Sequence, residues 1–265
     1  MSNTATVLAF DFGASSGRAI RAVYDGQNLT YEEIHRFENV PIEKEGHLCW
    51  DVETLLKEIH TAIQKAGTFD SLGFDTWGVD FGLLDADGHL LANPVHCRDA
   101  RTNGKPEQAV ACMPAEELYA HTGNQIMAIN TLFQLLALQE QEPELLQKAE
   151  QVLFMPDLFA ALLGAEPVCE RSIASTSQML DPRTGQWSRE VLAAYGLNEN
   201  HFASLVASGT VTGTLTTGAK IIAVAGHDTQ CASAAMPCAE EDAEHTAFLS
   251  CGTWSLLGTE LDAPI

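Results

Sequence analysis

The chain contains 265 residues, of which 46% are hydrophobic and 19% are charged, and its formal net charge is −22. This length can form one large domain or two small ones, and the composition is typical of a globular protein. The strong negative charge argues against partners that are themselves anionic, namely nucleic acid and anionic membrane surfaces. An uncharged substrate would meet no such repulsion.

The cysteine pattern indicates reduced thiols rather than a disulfide framework. The seven cysteines are an odd number, and no two are spaced as Cys-x-x-Cys. A metal site built from His227, Cys231 and Cys238 is the less favoured alternative. No apolar run reaches the roughly 18 residues of a membrane span, and no basic signal-like segment opens the chain. We therefore expect a cytoplasmic protein without a membrane partner.

The N-terminal part of the chain predicts a three-stranded meander, a helix and a further strand. Asp51 is a suitable N-cap for the helix, and Gly67 is suited to end it. Asp11 and Asp75 each follow directly on an apolar run. Four runs have the composition of strands: residues 7–10, 18–24, 29–37 and 72–74. The order β-β-β-α-β predicts an α/β fold with a ribonuclease-H-like unit.

The following part of the chain has the character of an insertion into that unit. Asp87-Gly88 is a hairpin signal between residues 79–84 and 90–95. Two helices are predicted beyond it, at residues 132–139 and 144–152, and Pro143 is placed to begin the second.

The C-terminal part returns to the first unit and then begins another. Residues 221–225 predict a buried strand, residues 229–235 a helix of small residues, and residues 239–245 an acidic linker. Residues 247–259 predict a hairpin, which is only marginally stable alone. We therefore divide the chain into a domain at residues 1–239 and, at residues 240–265, a linker with the first hairpin of a second, similar and truncated domain.

Residues 11–18, with the sequence Asp-Phe-Gly-Ala-Ser-Ser-Gly-Arg, predict a turn that can hold phosphate groups. Small residues expose backbone amides to phosphate oxygens, Ser15 and Ser16 add hydroxyl donors, and Arg18 adds a positive charge. Asp11 is placed to face a phosphate-bound Mg²⁺ through water. The alternative is an ordinary hairpin turn beside a buried aspartate.

Two further segments carry candidate chemistry at strand ends. Asp228, in Gly226-His227-Asp228-Thr229, can act as a general base, although an N-cap for the next helix would also explain it. In residues 75–80, Trp77 offers an indole face and an N–H donor to a polyol, while Gly78 permits close backbone approach. The alternative for Trp77 is a core position. For Arg98 and Arg101 we favour a surface ion pair over a role in binding.

These segments together resemble the FGGY family of carbohydrate kinases, within the superfamily of sugar kinases, actin and heat-shock ATPases. The resemblance extends over essentially the whole chain. It rests on these segments: residues 11–18, residues 75–81, Asn130-Thr131-Leu132-Phe133-Gln134-Leu135, Met155-Pro156-Asp157, His227-Asp228-Thr229 and Gly252-Thr253-Trp254-Ser255.

The resemblance implies an actin-like ATPase fold and transfer of the ATP γ-phosphoryl group to the 1-hydroxyl of L-rhamnulose, with Mg²⁺ as cofactor. The implied base is Asp228, and the implied metal-facing residue is Asp11. The implied sugar contacts are Gly78, His227, Asp228 and Thr229. The implied ATP contacts are Ala14, Ser15, Ser16, Gly17, Arg18 and Thr253.

Two alternatives remain open beside this interpretation. One is a kinase of the same family for another ketose, such as fuculose or xylulose. The other is a non-catalytic sugar-binding module, because family members are nearly twice as long and hold their adenine-binding segments beyond Ile265. These 265 residues alone are expected to bind a sugar with little or no turnover.

Overall fold

The computed structural model describes residues 4–239, 242, 245–252 and 255–261. The strands are β1 Ala5–Phe12, β2 Ser16–Tyr24, β3 Leu29–Glu38, β4 Ile42–Lys44, β5 His47–Cys49, β6 Ser71–Thr76, β7 Phe81–Leu84, β8 Gln151–Phe154, β9 Val168–Glu170, β10 Leu180–Asp181, β11 Gln186–Trp187, β12 Ser204–Val206, β13 Thr210–Thr214, β14 Lys220–Ala223, β15 Ala247–Cys251 and β16 Ser255–Thr259.

Helical segments of different length alternate with these strands. The α-helices are α1 Val52–Ala66, α2 Lys105–Cys112, α3 Ala115–Thr122, α4 Thr131–Gln141, α5 Pro143–Lys148, α6 Met155–Leu162, α7 Arg171–Ala174, α8 Arg189–Ala194 and α9 Asp228–Ala234. Short 3-10 turns lie at Ala100–Thr102, Ser175–Ser177 and Glu199–His201. Within the described residues, no helix has the length and apolar content needed to cross a lipid bilayer.

A six-stranded sheet with the order β13-β14-β6-β1-β2-β3 organises the fold. The pairs β1–β2 and β2–β3 are antiparallel, as predicted for a meander, whereas β6 is parallel to both β1 and β14. Asp51 caps α1 by accepting the N–H of Thr54 at 3.2 Å, and Gly67 ends the helix with φ of 66°. The predicted ribonuclease-H-like α/β arrangement is therefore confirmed.

Two buried apolar clusters lie in different layers of the chain. The first fills the space between the sheet and the helices α1 and α6, and it includes Phe10, Phe74 and Phe159. The second surrounds α4 in the insertion and includes Leu132 and Phe133. Trp187 packs against both clusters and joins them.

The insertion departs from prediction at two places. Strand β7 pairs with β8, some seventy residues away, and the predicted hairpin forms only next to its turn, where the Asp85 N–H donates to the His89 carbonyl at 3.0 Å and the Leu91 N–H donates to the Leu83 carbonyl at 2.9 Å. The predicted helix at 144–152 ends at Lys148, because Val152 belongs to β8. Both errors have one cause: β7 is buried along its whole length, and such a strand needs partners from distant parts of the chain.

The hairpin of β15 and β16 forms as predicted, with Leu249 opposite Leu257. Thr253 and Trp254, which stand between β15 and β16 in the sequence, lie outside the described residues. The predicted contact of Thr253 with ATP therefore stays a prediction.

Candidate active site

Three aspartates, two on adjacent strands and one at the start of α9, approach one edge of the main sheet. Asp11 on β1 lies beside Asp75 on β6 in the parallel register. Thr76, the next residue, donates its backbone N–H to the Gly226 carbonyl at 2.9 Å and bridges to His227, which brings Asp228 to the same edge. The carboxyl ends of parallel strands are where open α/β sheets bind ligands.

The pKa of Asp75, which lies between Asp11 and Asp228, is raised well above that of an ordinary aspartate. Burial, followed by the negative charges of Asp11 and Asp228, raises the pKa of Asp75 to about 8, and Arg18 opposes this rise. Asp75 therefore retains its proton at neutral pH. Burial is the largest cause of this rise in pKa, and the two neighbouring carboxylates add to it.

The aspartates at this edge of the sheet suit Mg²⁺ better than a cation that requires three protein ligands close together. The metal-capable groups among the described residues, whose ligand atoms lie within 4.8 Å of one another, do not include Asp11, Asp75 and Asp228 together. Mg²⁺ keeps several waters and takes one or two carboxylates, so a site for it would need only the partly exposed Asp11. The metal alternative with His227, Cys231 and Cys238 is absent from those groups as well, and the Cys231 thiol donates to the Ala225 carbonyl at 2.8 Å.

Replacing Asp75 by asparagine should change how the stability of the protein depends on pH. The folded state binds a proton at Asp75 up to a pKa of about 8, whereas an unfolded aspartate loses it near its ordinary pKa of 3.8. Between these values the folded state binds more protons, so the free energy of unfolding falls as the pH rises. We expect a shallower fall in Asp75→Asn than in the wild type, measured by urea unfolding at pH 5, 7 and 9.

The control for this experiment is Asp87→Asn, because Asp87 is exposed on a surface turn. A residual slope should persist in Asp75→Asn, since burial also raises the pKa of Asp157 to about 8. If the free energy of unfolding falls equally with pH in the wild type and in Asp75→Asn, Asp75 is ionised like any surface carboxylate.

The candidate phosphate turn, residues 13–16, is short, and Asn39 holds its backbone from one side. The Gly13 N–H donates to the Ser16 carbonyl at 2.9 Å, while Ala14 and Ser15 are exposed. Asn39, which the sequence analysis missed, donates its side-chain amide to the Gly13 carbonyl at 2.8 Å and its backbone N–H to the Ser15 carbonyl at 3.0 Å. The turn therefore presents small residues outward on a braced backbone.

Gly17 and Arg18 lie in strand β2 beside this turn. A Cβ on Gly17 would stand 2.2 Å from Cζ of Phe37, so packing against that ring alone requires glycine. Arg18 Nε lies 3.0 Å from Asp11 Oδ2, and both side chains are partly exposed. The arginine is therefore held at the mouth of the turn by the carboxylate that was predicted to face the metal.

Asp228 begins helix α9, and its neighbours direct one of its oxygens. Thr229 donates to Oδ1 from both its backbone N–H (2.5 Å) and its hydroxyl (3.1 Å), and His227 Nδ1 lies 2.9 Å from the same oxygen. Burial raises the pKa of Asp228, but the contacts with His227 and Thr229 outweigh it and the net shift is downward. The N-cap position is His227, but the Thr229 N–H lies closer to Asp228 Oδ1 (2.5 Å) than to His227 Nδ1 (3.0 Å). The Asp228 carboxylate therefore takes part in capping α9 through Oδ1.

The turn at Gly78 and Val79 is pressed against the segment that carries Asp228. A Cβ on Gly78 would lie 2.6 Å from Cδ2 of His227 and 3.0 Å from Cγ2 of Thr176, so a side chain there is excluded. Val79 adopts φ of 68°, a costly conformation for a β-branched residue. We define the backbone of Gly78 and Val79 as the sugar turn, and Gly226 to Thr229 as the base turn.

Trp77 uses its N–H donor within the protein. Its Nε1 donates to Asp80 Oδ2 at 3.0 Å, and Trp50 donates to the same oxygen at 2.7 Å. The two indole rings lie 4.1 Å apart. The expectation that the Trp77 N–H serves a polyol is therefore wrong, because a fully buried carboxylate occupies it.

The expectation of a surface ion pair at Arg101 is also wrong. Arg101 is 8% exposed, and its Nη2 donates to Gln134 Oε1 at 3.0 Å. Gln134 in turn donates to Asp80 Oδ1 at 3.0 Å. The role of Gln134 is not recognisable from the sequence, because Asp80 and Arg101 lie far away along the chain.

Comparison with known proteins places this site in a family. Residues 6–234 match the model of the N-terminal domain of the FGGY family of carbohydrate kinases. The chain belongs to the FGGY family. Most of its described fold thus corresponds to the N-terminal FGGY domain, and the predicted resemblance is confirmed.

Two curated relatives of this FGGY chain carry the same name. It is 42% identical to a protein named Rhamnulokinase from Bacteroides thetaiotaomicron, a match that covers 97% of this chain and 55% of that protein. It is 38% identical to a Rhamnulokinase from Lactiplantibacillus plantarum, over 97% of this chain and 54% of that protein. The chain therefore spans about half the length of these relatives.

A solved structure supports the fold independently of close sequence similarity. The carbohydrate kinase from Novosphingobium aromaticivorans superposes with a TM-score of 0.81 at 19% identity, covering 100% of this chain and 58% of that chain. At this identity the likeness concerns the fold alone, which is that of the FGGY sugar kinases.

Proposed function

We propose that this chain is the sugar-binding part of an ATP-dependent ketose kinase, and that its substrate is L-rhamnulose, phosphorylated at the 1-hydroxyl. The observation that carries the proposal is the common sheet edge shared by Asp11, Asp75 and Asp228, with the phosphate turn at the end of β1. The choice of sugar is supported by the two relatives named Rhamnulokinase.

Asp228 is the proposed general base. The hydrogen bonds that the described residues make to its carboxylate all reach Oδ1, which leaves Oδ2 to accept the proton of the sugar hydroxyl. Its lowered pKa keeps it ionised at neutral pH. As the hydroxyl oxygen bonds to the γ-phosphorus, the bond from that phosphorus to the β–γ bridging oxygen breaks, ADP leaves, and the proton passes to Asp228.

The proposed nucleotide contacts lie at the phosphate turn, with Thr253 from the second hairpin. Backbone amides and hydroxyls of small residues suit phosphate oxygens, and Arg18 adds charge. Asp11 would face Mg²⁺, which when bound neutralises phosphate charge. The proposed ATP contacts are Ala14, Ser15, Ser16, Gly17, Arg18 and Thr253.

The proposed sugar contacts come from the two turns that meet at Gly78. Gly78 is buried, and the His227 ring lies against it, with Nε2 at 3.0 Å from where a Cβ would stand. Beside this contact, the base turn offers a ring nitrogen of His227, the Asp228 carboxylate and the Thr229 hydroxyl. Polar groups of this kind fix the orientation of a polyol that carries no charge.

The proposed domain division places the sugar site in residues 1–239. Residues 240–265 then form a linker and the start of a second domain that carries the remaining nucleotide contacts. A cytoplasmic location also stays a prediction.

The test combines a binding measurement with an assay of ADP release. The chain is titrated calorimetrically with L-rhamnulose, L-fuculose and D-xylulose, and the full-length protein is assayed with ATP, Mg²⁺ and each ketose. We expect binding and the fastest ADP release with L-rhamnulose. A preference for another ketose would change the substrate, binding without ADP release would indicate a non-catalytic sugar-binding module, and the absence of binding by any ketose would refute the proposal.

A further inference from the structure

Gly226, the first residue of the base turn, is hydrogen-bonded through both its N–H and its carbonyl and is packed against two side chains. The Gly226 N–H donates to Glu170 Oε2 at 3.2 Å, and its carbonyl accepts the Thr76 N–H at 2.9 Å. A Cβ on Gly226 would lie 2.9 Å from Cγ of Pro156 and 3.2 Å from Cβ of Ile173. The position of Asp228 therefore depends on what Gly226 is tied to.

Glu170 is a buried carboxylate with an unusually full set of donors. It is 2% exposed. Besides Gly226, its oxygens accept the Ser172 N–H (2.9 Å), the Ser172 hydroxyl (2.6 Å), the Ile173 N–H (3.1 Å) and the Ser208 hydroxyl (2.7 Å). A buried carboxylate is tolerated when its lone pairs are satisfied in this way. Capping α7 uses only part of this set, because Gly226 and Ser208 lie far away along the chain.

The other end of the same short segment holds the sugar turn. Thr176 Oγ1 accepts the Val79 N–H at 3.0 Å and donates to the Ile173 carbonyl at 2.8 Å. The Val79 carbonyl accepts the Thr131 hydroxyl at 2.7 Å. A valine with φ of 68° persists only where its surroundings determine it from several directions, and these bonds do so.

We propose that residues 170–176 act as a strut between the two turns, with Glu170 and Thr176 as positioning residues. The strut joins the Gly226 amide at one end to the Val79 amide at the other, and so sets how Asp228 faces the sugar turn. This inference rests on the proposed function, since alignment matters only if a hydroxyl must be held between the two turns. Neither residue touches the reacting atoms in this assignment.

A strut differs from two independent anchors in a measurable way. If Glu170 and Thr176 act as one unit, releasing either end loses the alignment, and releasing the second end adds little. If they act separately, their effects add, as expected for unconnected sites. A double-mutant cycle of Glu170→Gln and Thr176→Val therefore decides between the two descriptions.

The experiment is a calorimetric titration of the variants with L-rhamnulose, accompanied by urea unfolding. Thr176→Val keeps the methyl contact with Gly78 but removes the acceptor of the Val79 N–H, so we expect about tenfold weaker binding. Thr176→Ser restores the hydroxyl and should restore affinity. The matched control is Thr122→Val, because Thr122 also pairs its hydroxyl with a carbonyl, that of Leu118, and with a backbone N–H, that of Asn124.

The strut is supported if both single variants weaken the binding of L-rhamnulose and Thr122→Val binds it normally. In addition, the fold-loss of affinity in the double mutant must be much smaller than the product of the fold-losses in the two single variants. Additive losses, or equal losses in Thr176→Val and Thr122→Val, would overturn it. If Glu170→Gln fails to fold, Ser208→Ala, which removes one donor to Glu170 Oε1, takes its place in the cycle.

Amide hydrogen exchange separates failure of the strut from failure of the proposed function. If the wild type binds no ketose, the proposed function is wrong, but the strut still predicts that each single variant accelerates exchange at both the Val79 and the Gly226 amide. Acceleration confined to the amide nearest each substitution would show two separate anchors.

Discussion

Replacing Asp228 by asparagine is expected to lower the turnover of the full-length protein by about 100- to 10,000-fold, the usual contribution of a general base. Asparagine keeps the size of the side chain and an oxygen for the Thr229 donors, but it cannot accept the proton of the sugar hydroxyl. Affinity for L-rhamnulose should stay within a few-fold, because the contacts that orient the residue survive. The measurement is steady-state ADP release together with calorimetric titration.

The control for Asp228→Asn is Asp87→Asn, an identical change on an exposed turn. A loss confined to turnover identifies a group that acts in the chemical step. Unchanged turnover in Asp228→Asn would remove Asp228 from the role of base, and a matching loss of sugar affinity would assign it to binding instead.

Replacing Asp80 by alanine is expected to cause the largest loss of stability among the variants considered. Asp80 is fully buried and accepts hydrogen bonds from Trp50, Trp77 and Gln134. Each buried donor left without an acceptor costs about 1–3 kcal/mol, so we expect the free energy of unfolding to fall by at least about 3 kcal/mol. Urea unfolding measures this difference.

Two companion variants sharpen the prediction for Asp80. Asp87→Ala removes an exposed carboxylate and should change stability by less than about 0.5 kcal/mol. Asp80→Asn keeps one acceptor oxygen and should fall between the wild type and Asp80→Ala. If Asp80→Ala is as stable as Asp87→Ala, the buried hydrogen bonds to Asp80 contribute nothing net.

Local sequence signals predicted the elements that are built from neighbouring residues. The meander of β1 to β3 and the helix from Asp51 to Gly67 were recognisable because caps, turns and periodicity act within a few residues. The gathering of Asp11 and Asp75 at one edge was also predictable, since each follows directly on an apolar strand.

The remaining parts of the site depend on contacts between distant segments. Nothing around Glu170 distinguishes it from an ordinary helix cap, because the bond that matters joins it to Gly226, 56 residues away. Arg101 has the local sequence of a surface residue, but it is buried and donates to Gln134, 33 residues away along the chain. The strained Val79 is likewise invisible in sequence, since valine gives no sign of a left-handed backbone.

The two apolar clusters joined at Trp187 have a consequence for how such a protein can diversify. Thr131 and Thr176, whose hydroxyls bond to the Val79 backbone, lie on different sides of this junction, because Thr131 begins α4 in the second cluster whereas Thr176 follows Ile173 and Ala174 of the first. A substitution in either cluster can therefore shift the turn at Val79. If the proposed function holds, such substitutions would alter the preference for a carbohydrate without touching the residues proposed to face the nucleotide.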